Sequence, residues 1–487
     1  MSTVVAPGSS DTGVTPNAQR LLWAGFMAIL AAGVGFSIRG GILGDWGTQF
    51  GVTQTDLGTI TGGGLTGFGV IILLGALIAD RVGYGKLMIF AFVMHFISAV
   101  LTLAATPLYD SMVASDPAGA KAAAYQCLFW GMFLFAIGNG TAEAVVNPLV
   151  ATLFPKNKTH YLNILHAGWP AGLVAGGLAS FMLVGQVRWE VQMSLFLIPV
   201  VLYGGMCLGQ HFPRSEASRH GVRFGEMLAE FAAPLLILLL VIHAMLGYVE
   251  LGTDSWISNI TGNILASRSG GLLLFVYTSL LMFALRFFAG PIVEKTSPLG
   301  LLFIGATCGA IGLLMLGNAG TAVMVVIAAT IYGIGKTFLW PTMLAVVSER
   351  FPKGGAITIG AMGGIGMLSA GLLGGPGIGY NQDYYASKQL QERAPAVYES
   401  YKSDTRNTFL VFPEIQGLDG SKVGAVRGKD PAQRTAEEVQ VHDADLEGGR
   451  MALKMTAAVP AAMALLYLLI ILYFRARGGY RQLHLEG

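Results

Sequence analysis

Residues 76–86 read ALIADRVGYGK, and residues 290–298 read GPIVEKTSP. Each stretch follows a long apolar run and holds a small residue, then an acidic residue four positions later, then a basic residue. The shared residues are, in order, Ala76, Asp80 and Arg81, then Gly290, Glu294 and Lys295. The two stretches follow the second and the eighth of twelve apolar runs. Self-similarity at that distance predicts a duplicated six-helix unit.

The remainder of the chain is apolar enough to lie in lipid. Of its 487 residues, 53% are hydrophobic and 12% are charged, against about 25% charged in an average soluble domain. About 20 apolar residues span the hydrocarbon core as a helix, and in lipid every backbone polar group needs an internal partner. We therefore predict an all-α membrane protein with twelve transmembrane helices in two pseudo-symmetric halves. The predicted spans are 21–43, 57–79, 86–106, 123–150, 163–185, 190–210, 231–251, 271–292, 299–317, 321–348, 356–378 and 453–474.

Lysine and arginine concentrate on alternate connections between these spans, starting with Arg81 and Lys86. Basic short loops are typical of the cytoplasmic side. The sequence therefore predicts a multi-pass protein of the inner (plasma) membrane with both termini in the cytoplasm.

The polar segments divide the chain into predicted parts. We expect a disordered cytoplasmic tail at 1–20 and six-helix halves at 21–210 and 231–474. A basic cytoplasmic linker is expected at 211–230, and a second cytoplasmic tail at 475–487. An extracytoplasmic insertion is predicted at 379–452, between helices 11 and 12. We expect it to be partly ordered around a modest core of Tyr380, Tyr384, Tyr385, Phe409, Phe412 and Ile415.

Composition and spacing argue against several classes of function. The net charge of +2 is too small to indicate a nucleic-acid partner. Cys127, Cys207 and Cys308 lie in apolar runs without metal or redox spacing, and no glycine cluster precedes a helix as a phosphate loop does. We predict a monomer that is not an enzyme and has no metal or cofactor. Its expected partners are the lipid bilayer and a small solute.

The loop at 76–86 resembles the signature of the major facilitator superfamily, Gly-x-Leu-Ala-Asp-Arg-x-Gly between helices 2 and 3. Asp80, Arg81 and Gly83 match, whereas Ala76 replaces the first glycine and Ile78 the leucine. The resemblance implies a twelve-helix transporter fold. It also implies that Asp80, Arg81 and Gly83 form a gating loop whose charges contact neighbouring helix ends and steady the inward-closed state.

Charged residues inside the spans are the candidate functional residues, because each costs about 2.5–3.5 kcal/mol or more at membrane depth. Glu143 and Asn147 lie four residues apart in helix 4 and face the same side. A carboxylate and an amide can hold sugar hydroxyls, and a desolvated carboxyl can exchange a proton near neutral pH. The alternative is a structural carboxylate that is paired permanently with Arg39 or Lys336.

The stretch GTAEAVVNPLVATLFPKNKTHYLNILHAG, residues 140–168, resembles the fucose–galactose–hexose permeases, the L-fucose–proton symporter family. The matching residues are Glu143, Asn147, Pro148, Leu162 and Asn163, with Glu250 and Trp256 in helix 7 and Pro341 and Thr342 in helix 10. The resemblance implies uptake of a monosaccharide with a proton, in which Glu143 binds the sugar or the proton. That family also needs an aspartate in helix 1. Gly40 stands at its place here beside Arg39, so sodium coupling and facilitated diffusion stay open.

Two buried cations suggest a different substrate. Arg39 and Lys336 could hold the carboxylate or phosphate of an organic anion or a sugar acid, or they could neutralise Glu143 and Glu250. Trp340 lies four residues after Lys336 and could stack on a sugar ring.

Two further polar residues have open interpretations. His166 lies one turn after Asn163, and it either lines the same cavity or is a packed hydrogen-bonding residue. Arg286 near the end of helix 8 is expected to snorkel to the interface or to belong to the second repeat loop.

The sequence thus predicts a secondary active transporter that moves a monosaccharide by alternating access, as a proton or other cation symporter. The predicted substrate ligands are Glu143, Asn147, Asn163, Trp340, Lys336 and Arg39. Glu143 and Glu250 are the predicted coupling residues.

Overall fold

A computed structural model describes residues 13–51, 54–183, 185–403, 406–483 and 485. Residues 1–12 of the predicted disordered tail, 1–20, lie outside the described residues. The first helix begins at Ala18, within the predicted tail. Most of the predicted second tail, 475–487, is described, with the exception of residues 484, 486 and 487.

Twelve helical spans in the described part of the chain are long and apolar enough to cross a membrane, which confirms the predicted fold class. We number them α1 to α12. Their bounds are Ala18–Phe50, Thr59–Val82, Tyr84–Met112, Pro117–Leu153, Lys158–Leu183, Trp189–Cys207, Pro234–Ile264, Ser269–Arg286, Pro298–Gly317, Ala322–Arg350, Pro352–Arg393 and Ala436–Ala476.

Several spans are interrupted near their middle, where irregular backbone can serve a site. In α5 the helices Lys158–His166 and Gly168–Leu183 meet at Ala167. In α7 the turn Tyr248–Gly252 is a π-helix, and it faces a second π-helical turn of α11 at Ala370–Gly374. A methyl group at Gly252 would lie 2.7 Å from the Cα atom of Gly374, so the glycines allow this close approach.

The halves α1–α6 and α7–α12 pack against each other along two helix pairs. The span α2 lies along α11, and α5 lies along α8. At one end of the bundle, α4 also packs on α11, and the first helix of α5 packs on α10. Between these helix pairs, side chains of α4, α5, α7, α8 and α10 are joined by hydrogen bonds.

The two ends of the bundle differ. The linker holds the short helices Glu216–Arg219 and Phe224–Ala229. Asn17 donates to Gln210 at 3.2 Å, and Gln482 donates to the carbonyl of Pro155 at 2.9 Å. Both ends of the described chain therefore lie with the linker, on what we call the linker side. The opposite end is the insertion side.

The excursion predicted at 379–452 consists largely of helix extensions. The span α11 continues to Arg393 and α12 begins at Ala436, so residues 394–435 connect them. This connection contains the helices Pro395–Tyr401 and Gly420–Gly428. Its main core is Leu390, Val397, Tyr398, Val423, Val426, Val441 and Ala444. The rings of Tyr380, Tyr384, Phe409 and Phe412 form a separate cluster, in which Phe412 is half exposed.

Candidate functional site

The N-terminal half contributes a buried hydrogen-bonded chain of three side chains. The amide nitrogen of Asn147 donates to Oε2 of Glu143 at 2.6 Å and to the Glu143 carbonyl at 3.1 Å. The amide oxygen of Asn147 lies 2.8 Å from Nε2 of His166. Because the amide oxygen can only accept, His166 carries its proton on Nε2. The chain therefore joins α4 to α5 inside the bundle.

The C-terminal half contributes Arg286, which contacts both halves. Its Nε donates to the carbonyl of Thr337 at 2.8 Å, and Nη2 donates to Oε1 of Glu250 at 3.3 Å. Its Nη1 donates to the carbonyl of His166 at 2.5 Å, across the boundary between the halves. The side chain is 1% exposed. The expectation that Arg286 snorkels to the interface is therefore wrong: it lies beside the Glu143 chain.

A second buried ion pair lies next to the first. Nζ of Lys336 lies 2.5 Å from Oδ1 of Asp254, and both side chains are largely buried. Glu250 pairs with Arg286. Among the described residues, neither Lys336 nor Arg39 is within ion-pair distance of Glu143 or Glu250: Lys336 pairs with Asp254, and Glu250 pairs with Arg286.

Arg39 has a different environment from the other candidates. Its guanidinium carbon lies 3.9 Å from the ring centre of Phe135. It donates to the hydroxyl of Ser98 at 2.8 Å and to the carbonyl of Gly35 at 3.2 Å. These partners belong to α1, α3 and α4, so Arg39 lies within the core of the N-terminal half and not in the hydrogen-bonded chain of Glu143. A role as a substrate ligand stays a prediction.

Trp340 and Asn163 reach the same central region from α10 and α5. The Trp340 ring is 4% exposed and lies 4.6 Å, centre to centre, from the ring of His243. Asn163 donates to the hydroxyl of Thr342 at 3.3 Å, across the halves. His243 therefore covers part of the Trp340 ring, and a sugar could stack only on the remaining part.

Several buried polar atoms around this network lack a hydrogen-bond partner in the described part of the chain. They are Oε2 of Glu250, Oδ1 of Asn163, Oγ1 of Thr253 and both ring nitrogens of His243. A buried polar atom without a partner costs about 1–3 kcal/mol. Buried polar atoms of this kind are expected where a polar ligand or water binds.

The linker side is closed by hydrogen bonds that cluster on residues 155–166. Lys158 donates to the carbonyl of Ser348 and contacts Glu216 of the linker, each at 3.3 Å. Thr159 donates to the carboxylate of Glu349 at 3.4 Å, and the amide of Gly290 donates to His160 at 3.2 Å. We call this set the gate cluster.

The C-terminal tail reinforces the gate cluster. The hydroxyl of Tyr480 donates to Glu349 at 2.6 Å, and the amide of Leu483 donates to the Glu349 carbonyl at 2.8 Å. Burial holds the pKa of Tyr480 well above its usual value, so the hydroxyl remains a donor. Gln482 continues to Pro155 in the other half.

The predicted gating loop lies beside this closed end. A Cβ atom at Gly355, where the main helix of α11 begins, would lie 3.4 Å from the Asp80 carboxylate. A carboxylate is favoured near a helix N-terminus. Arg81 lies over the ring of Phe224 in the linker at 4.5 Å, and Gly83 has a φ of 92° that suits glycine.

On the insertion side, one stripe of α1 is open. Phe36 and Gly40 are exposed, and nothing lies within 4 Å of a Cβ atom placed at Gly40 or Gly44. The other faces of α1 pack on α4, α5 and α6. This stripe of α1 therefore lies uncovered by neighbouring spans in the described part of the chain.

Sequence reasoning missed three members of the network. Asp254 lies beyond the predicted span 231–251 and is within ion-pair distance of Lys336. Neither Asp254 nor His243 is among the predicted site residues, and Arg286 was expected at the interface or in the second repeat loop. A usable signal for Arg286 was its position four residues before Gly290 of the repeat, inside the span.

Solved structures with the same fold include transporters for different solutes. The proton:xylose symporter XylE shares 17% identity, with 77% of this chain and 91% of that chain covered and a TM-score of 0.62. The E. coli fucose:proton symporter FucP shares 14% identity, with 91% of this chain and 98% of that chain covered and a TM-score of 0.60. The human organic anion transporter MFSD10 shares 12% identity, with 93% of this chain and 100% of that chain covered and a TM-score of 0.61. At these identities the likeness concerns the fold.

A search of curated proteins finds no match. The sequence profile described as Major Facilitator Superfamily matches residues 25–375, most of the chain. The members of that superfamily are membrane transporters. Together with the twelve spans and the polar region between the two halves, this match shows that the chain belongs to the Major Facilitator Superfamily.

Proposed function

We propose that this protein carries a monosaccharide across the inner membrane by alternating access, as a symporter driven by a cation, most simply the proton. The observation that supports the proposal is the set of unpartnered polar atoms between the halves. Glu250 and Thr253 of α7, Asn163 of α5 and His243 of α7 each leave at least one such atom. They adjoin the Glu143–Asn147–His166 chain.

The chemistry of these groups suits a neutral polyhydroxylated solute. Carboxylate and amide oxygens accept hydrogen bonds, and imidazole and hydroxyl groups both donate and accept. A sugar offers several hydroxyls, each a donor and an acceptor, at fixed spacing. Binding of a sugar would satisfy several buried atoms at once and offset the cost of leaving them unpaired.

The charges favour a cation as the coupling partner. Arg286 and Lys336 face Glu250 and Asp254. No salt bridge in the described part of the chain involves Glu143, whose hydrogen-bond partner is the Asn147 amide. A buried carboxylate that lies outside ion-pair distance of a cation is costly. Proton binding would remove that cost, and Na⁺ would offset it.

A sugar acid or another organic anion is the second candidate, and one observation favours it. Nε of Arg39 lacks a hydrogen-bond partner, and the side chain is 1% exposed. Against it, Lys336 already faces Asp254 and the guanidinium of Arg39 lies against Phe135. An anion would have to displace both arrangements.

The gate cluster supports alternating access. Its bonds hold the linker side shut while the stripe of α1 at Gly40 is open. We further propose that the linker side is cytoplasmic, as the distribution of basic loops predicts. The state described here would then be open to the outside.

Uptake into proteoliposomes tests the proposal. The probes are radiolabelled L-fucose, D-xylose, D-glucose and D-glucuronate, with and without an inward proton gradient. We expect gradient-driven uptake of at least one neutral sugar, reduced about 100-fold or more by the double variant Glu143→Gln, Asn147→Ala. Glu399→Gln, at an exposed site in the 394–435 connection, is the matched control and should transport normally.

Two outcomes would overturn parts of the proposal. Full transport by the double variant would remove Glu143 and Asn147 from the site. Uptake of D-glucuronate alone, lost in Arg39→Ala, would replace the sugar by an anion.

A further inference from the structure

The 394–435 connection and the end of α7 enclose a cleft on the insertion side, which we call the insertion cleft. Its walls are the last turns of α7, the helix Gly420–Gly428 with the turn that follows it, and the start of α12. Its volume is about 460 Å³, within the range of about 300–1,000 Å³ that is typical of small-molecule sites. None of the residues in the Glu143–Asn147–His166 chain lines it.

The charged side chains that line the insertion cleft are basic: Arg427, Lys429, Arg434 and His442. Among the described residues that line it, none is acidic, and the nearby Asp443 lines a different groove. Arg427 and Lys429 each pair with a carboxylate of α12 that lies outside the lining. Arg434 is within ion-pair distance of no carboxylate in the described part of the chain, so the cleft carries an excess positive charge.

Arg427 fixes the three walls relative to one another. Its Nε and Nη2 donate to the two carboxylate oxygens of Asp445 in α12, at 2.7 and 2.5 Å. Its Nη1 donates to the amide oxygen of Asn259 in α7 at 3.3 Å. A bidentate pair of this kind holds its geometry well, so the cleft is already formed without a ligand.

Arg434 and His442 keep hydrogen-bonding capacity that the protein does not use. Nε of Arg434 donates to the carbonyl of Val426, and Nη2 donates to the carbonyl of Lys429, each at 3.2 Å. Nη1 of Arg434 has no partner in the described part of the chain. Nδ1 of His442 is buried and also lacks a partner among the described residues. An oxyanion that contacted both side chains would satisfy both groups.

The uncharged part of the lining suits a ligand with hydroxyl groups. Ser258 and Asn259 of α7 provide a hydroxyl and an amide, groups that both donate and accept hydrogen bonds. Gly424 and Gly428 lie four residues apart on the helix Gly420–Gly428, and nothing lies within 4 Å of a Cβ atom placed at either residue. A ligand can therefore lie directly against this helix.

The N-terminal end of α8 adds to the positive potential. Ser267 lines the cleft, and its hydroxyl accepts from the amide of Gly270 at 3.0 Å, as an N-cap residue does. A helix N-terminus carries a partial positive charge of about half an elementary charge. This field acts on a bound anion in the same direction as the charge of Arg434.

We propose that the insertion cleft binds a small organic anion that also carries hydroxyl groups, such as an aldonate or a sugar phosphate. Arg434 and His442 hold the oxyanion, and Ser258 and Asn259 hold the hydroxyls. The site goes beyond the proposed transport function, because it is separate from the Glu143 chain. A bound anion joins the connection to α7 and so restrains the span that carries Glu250.

Calorimetric titration of the full chain in nanodiscs of neutral lipid tests the site. The protein carries Glu143→Gln and Asn147→Ala, which remove the proposed ligands between the halves. The probes are D-gluconate, D-glucose 6-phosphate and D-glucose. We expect at least one of the two anions to bind at least about tenfold more tightly than D-glucose, because hydrogen bonds to charged groups are the stronger ones. Equal affinity for all three probes, or binding of none, would overturn the proposal.

Two variants in this background address the cleft itself. Gly424→Leu fills the open space and should abolish binding of the anion, and the fold should tolerate it because no atom lies within 4 Å. Arg434→Gln removes the excess charge and should weaken anion binding at least about tenfold. Arg406→Gln, at an exposed pair of the same connection, is the matched control. Undiminished affinity in Gly424→Leu, or an equal loss in Arg406→Gln, would contradict the assignment.

Hydrogen exchange shows where the anion binds. The bound anion should slow the exchange of amides in 258–267 and 424–434. Slowing confined to other segments would place the ligand elsewhere and remove the site. None of these measurements depends on Glu143 or Asn147. Absence of anion binding would therefore leave the proposed transport function standing, and a failure of sugar uptake would leave the insertion cleft standing.

Discussion

The two halves of this transporter treat their buried charges differently. In the C-terminal half, Arg286 faces Glu250 at 3.3 Å and Lys336 faces Asp254 at 2.5 Å. In the N-terminal half, Glu143 is held by the amide of Asn147, and Arg39 by a hydroxyl, a carbonyl and a phenyl ring. The C-terminal half thus pairs its charges, while the N-terminal half solvates them with neutral groups.

The difference indicates that the two halves have different roles, ligand binding in one and structural stability in the other. An ion pair inside one half is neutral as a unit and offers little to an arriving cation or anion. A carboxylate that has only an amide partner remains electrostatically unsatisfied in a medium of low dielectric constant. We therefore expect Glu143 to bind the sugar or the coupling cation. The paired charges of the C-terminal half should hold the surrounding spans in place.

The largest effect is expected from opening a pair in the C-terminal half. Asp254→Asn leaves Lys336 as a buried unpaired cation, which should lower the free energy of unfolding by about 3–5 kcal/mol. Adding Lys336→Met should restore most of that stability, since no charge is then left alone. Thermal unfolding in detergent, read by intrinsic fluorescence, gives both values. A double variant as unstable as the single one would contradict the pairing.

A smaller effect is expected at Arg39. Arg39→Met keeps an extended side chain against Phe135 but loses the cation–π contact and the hydrogen bonds to Ser98 and Gly35. Removal of a charge without a counter-ion compensates part of this loss, so stability should fall by about 1–2 kcal/mol. Uptake of a neutral sugar should persist. Unchanged stability with complete loss of D-glucuronate uptake would instead identify Arg39 as a substrate ligand.

The smallest effect on stability is expected at Glu143. Glu143→Gln retains an oxygen that accepts from Asn147 and removes an uncompensated charge, so stability should stay within about 1 kcal/mol of wild type or increase. Transport should nevertheless be lost. Asp254→Asn and Glu143→Gln together should show that one carboxyl group matters for stability and the other for function. Destabilisation by Glu143→Gln equal to that by Asp254→Asn would contradict this difference between the halves.

The fold followed from the sequence because span length and composition are set by the bilayer. The i, i+4 spacing of Glu143 and Asn147 placed both side chains on one face, and they form the 2.6 Å hydrogen bond. The end of α11 and the start of α12 were predicted too close to the membrane, because both helices extend beyond it through polar residues. Hydropathy identifies only the apolar part of such a helix.

The partners of the buried charges could not be predicted, because they depend on contacts between spans far apart in the chain. Arg286 meets His166 across 120 residues and Glu250 across 36. The position of Arg286 inside the eighth span is the one local signal, and it does not identify the partners, since an arginine near a helix end usually reaches the interface. Asp254 likewise lies beyond the predicted end of the seventh span at residue 251, whereas α7 runs to Ile264.

The most direct test of the cargo site is a cryo-electron-microscopy structure in lipid nanodiscs, in the presence of whichever sugar the proteoliposomes accumulate. We expect ligand density between the halves, within hydrogen-bond distance of Glu143 or Asn147 and next to Asn163. Ligand density elsewhere, with the Glu143–Asn147–His166 chain intact and not in contact with it, would show that these residues do not bind the substrate.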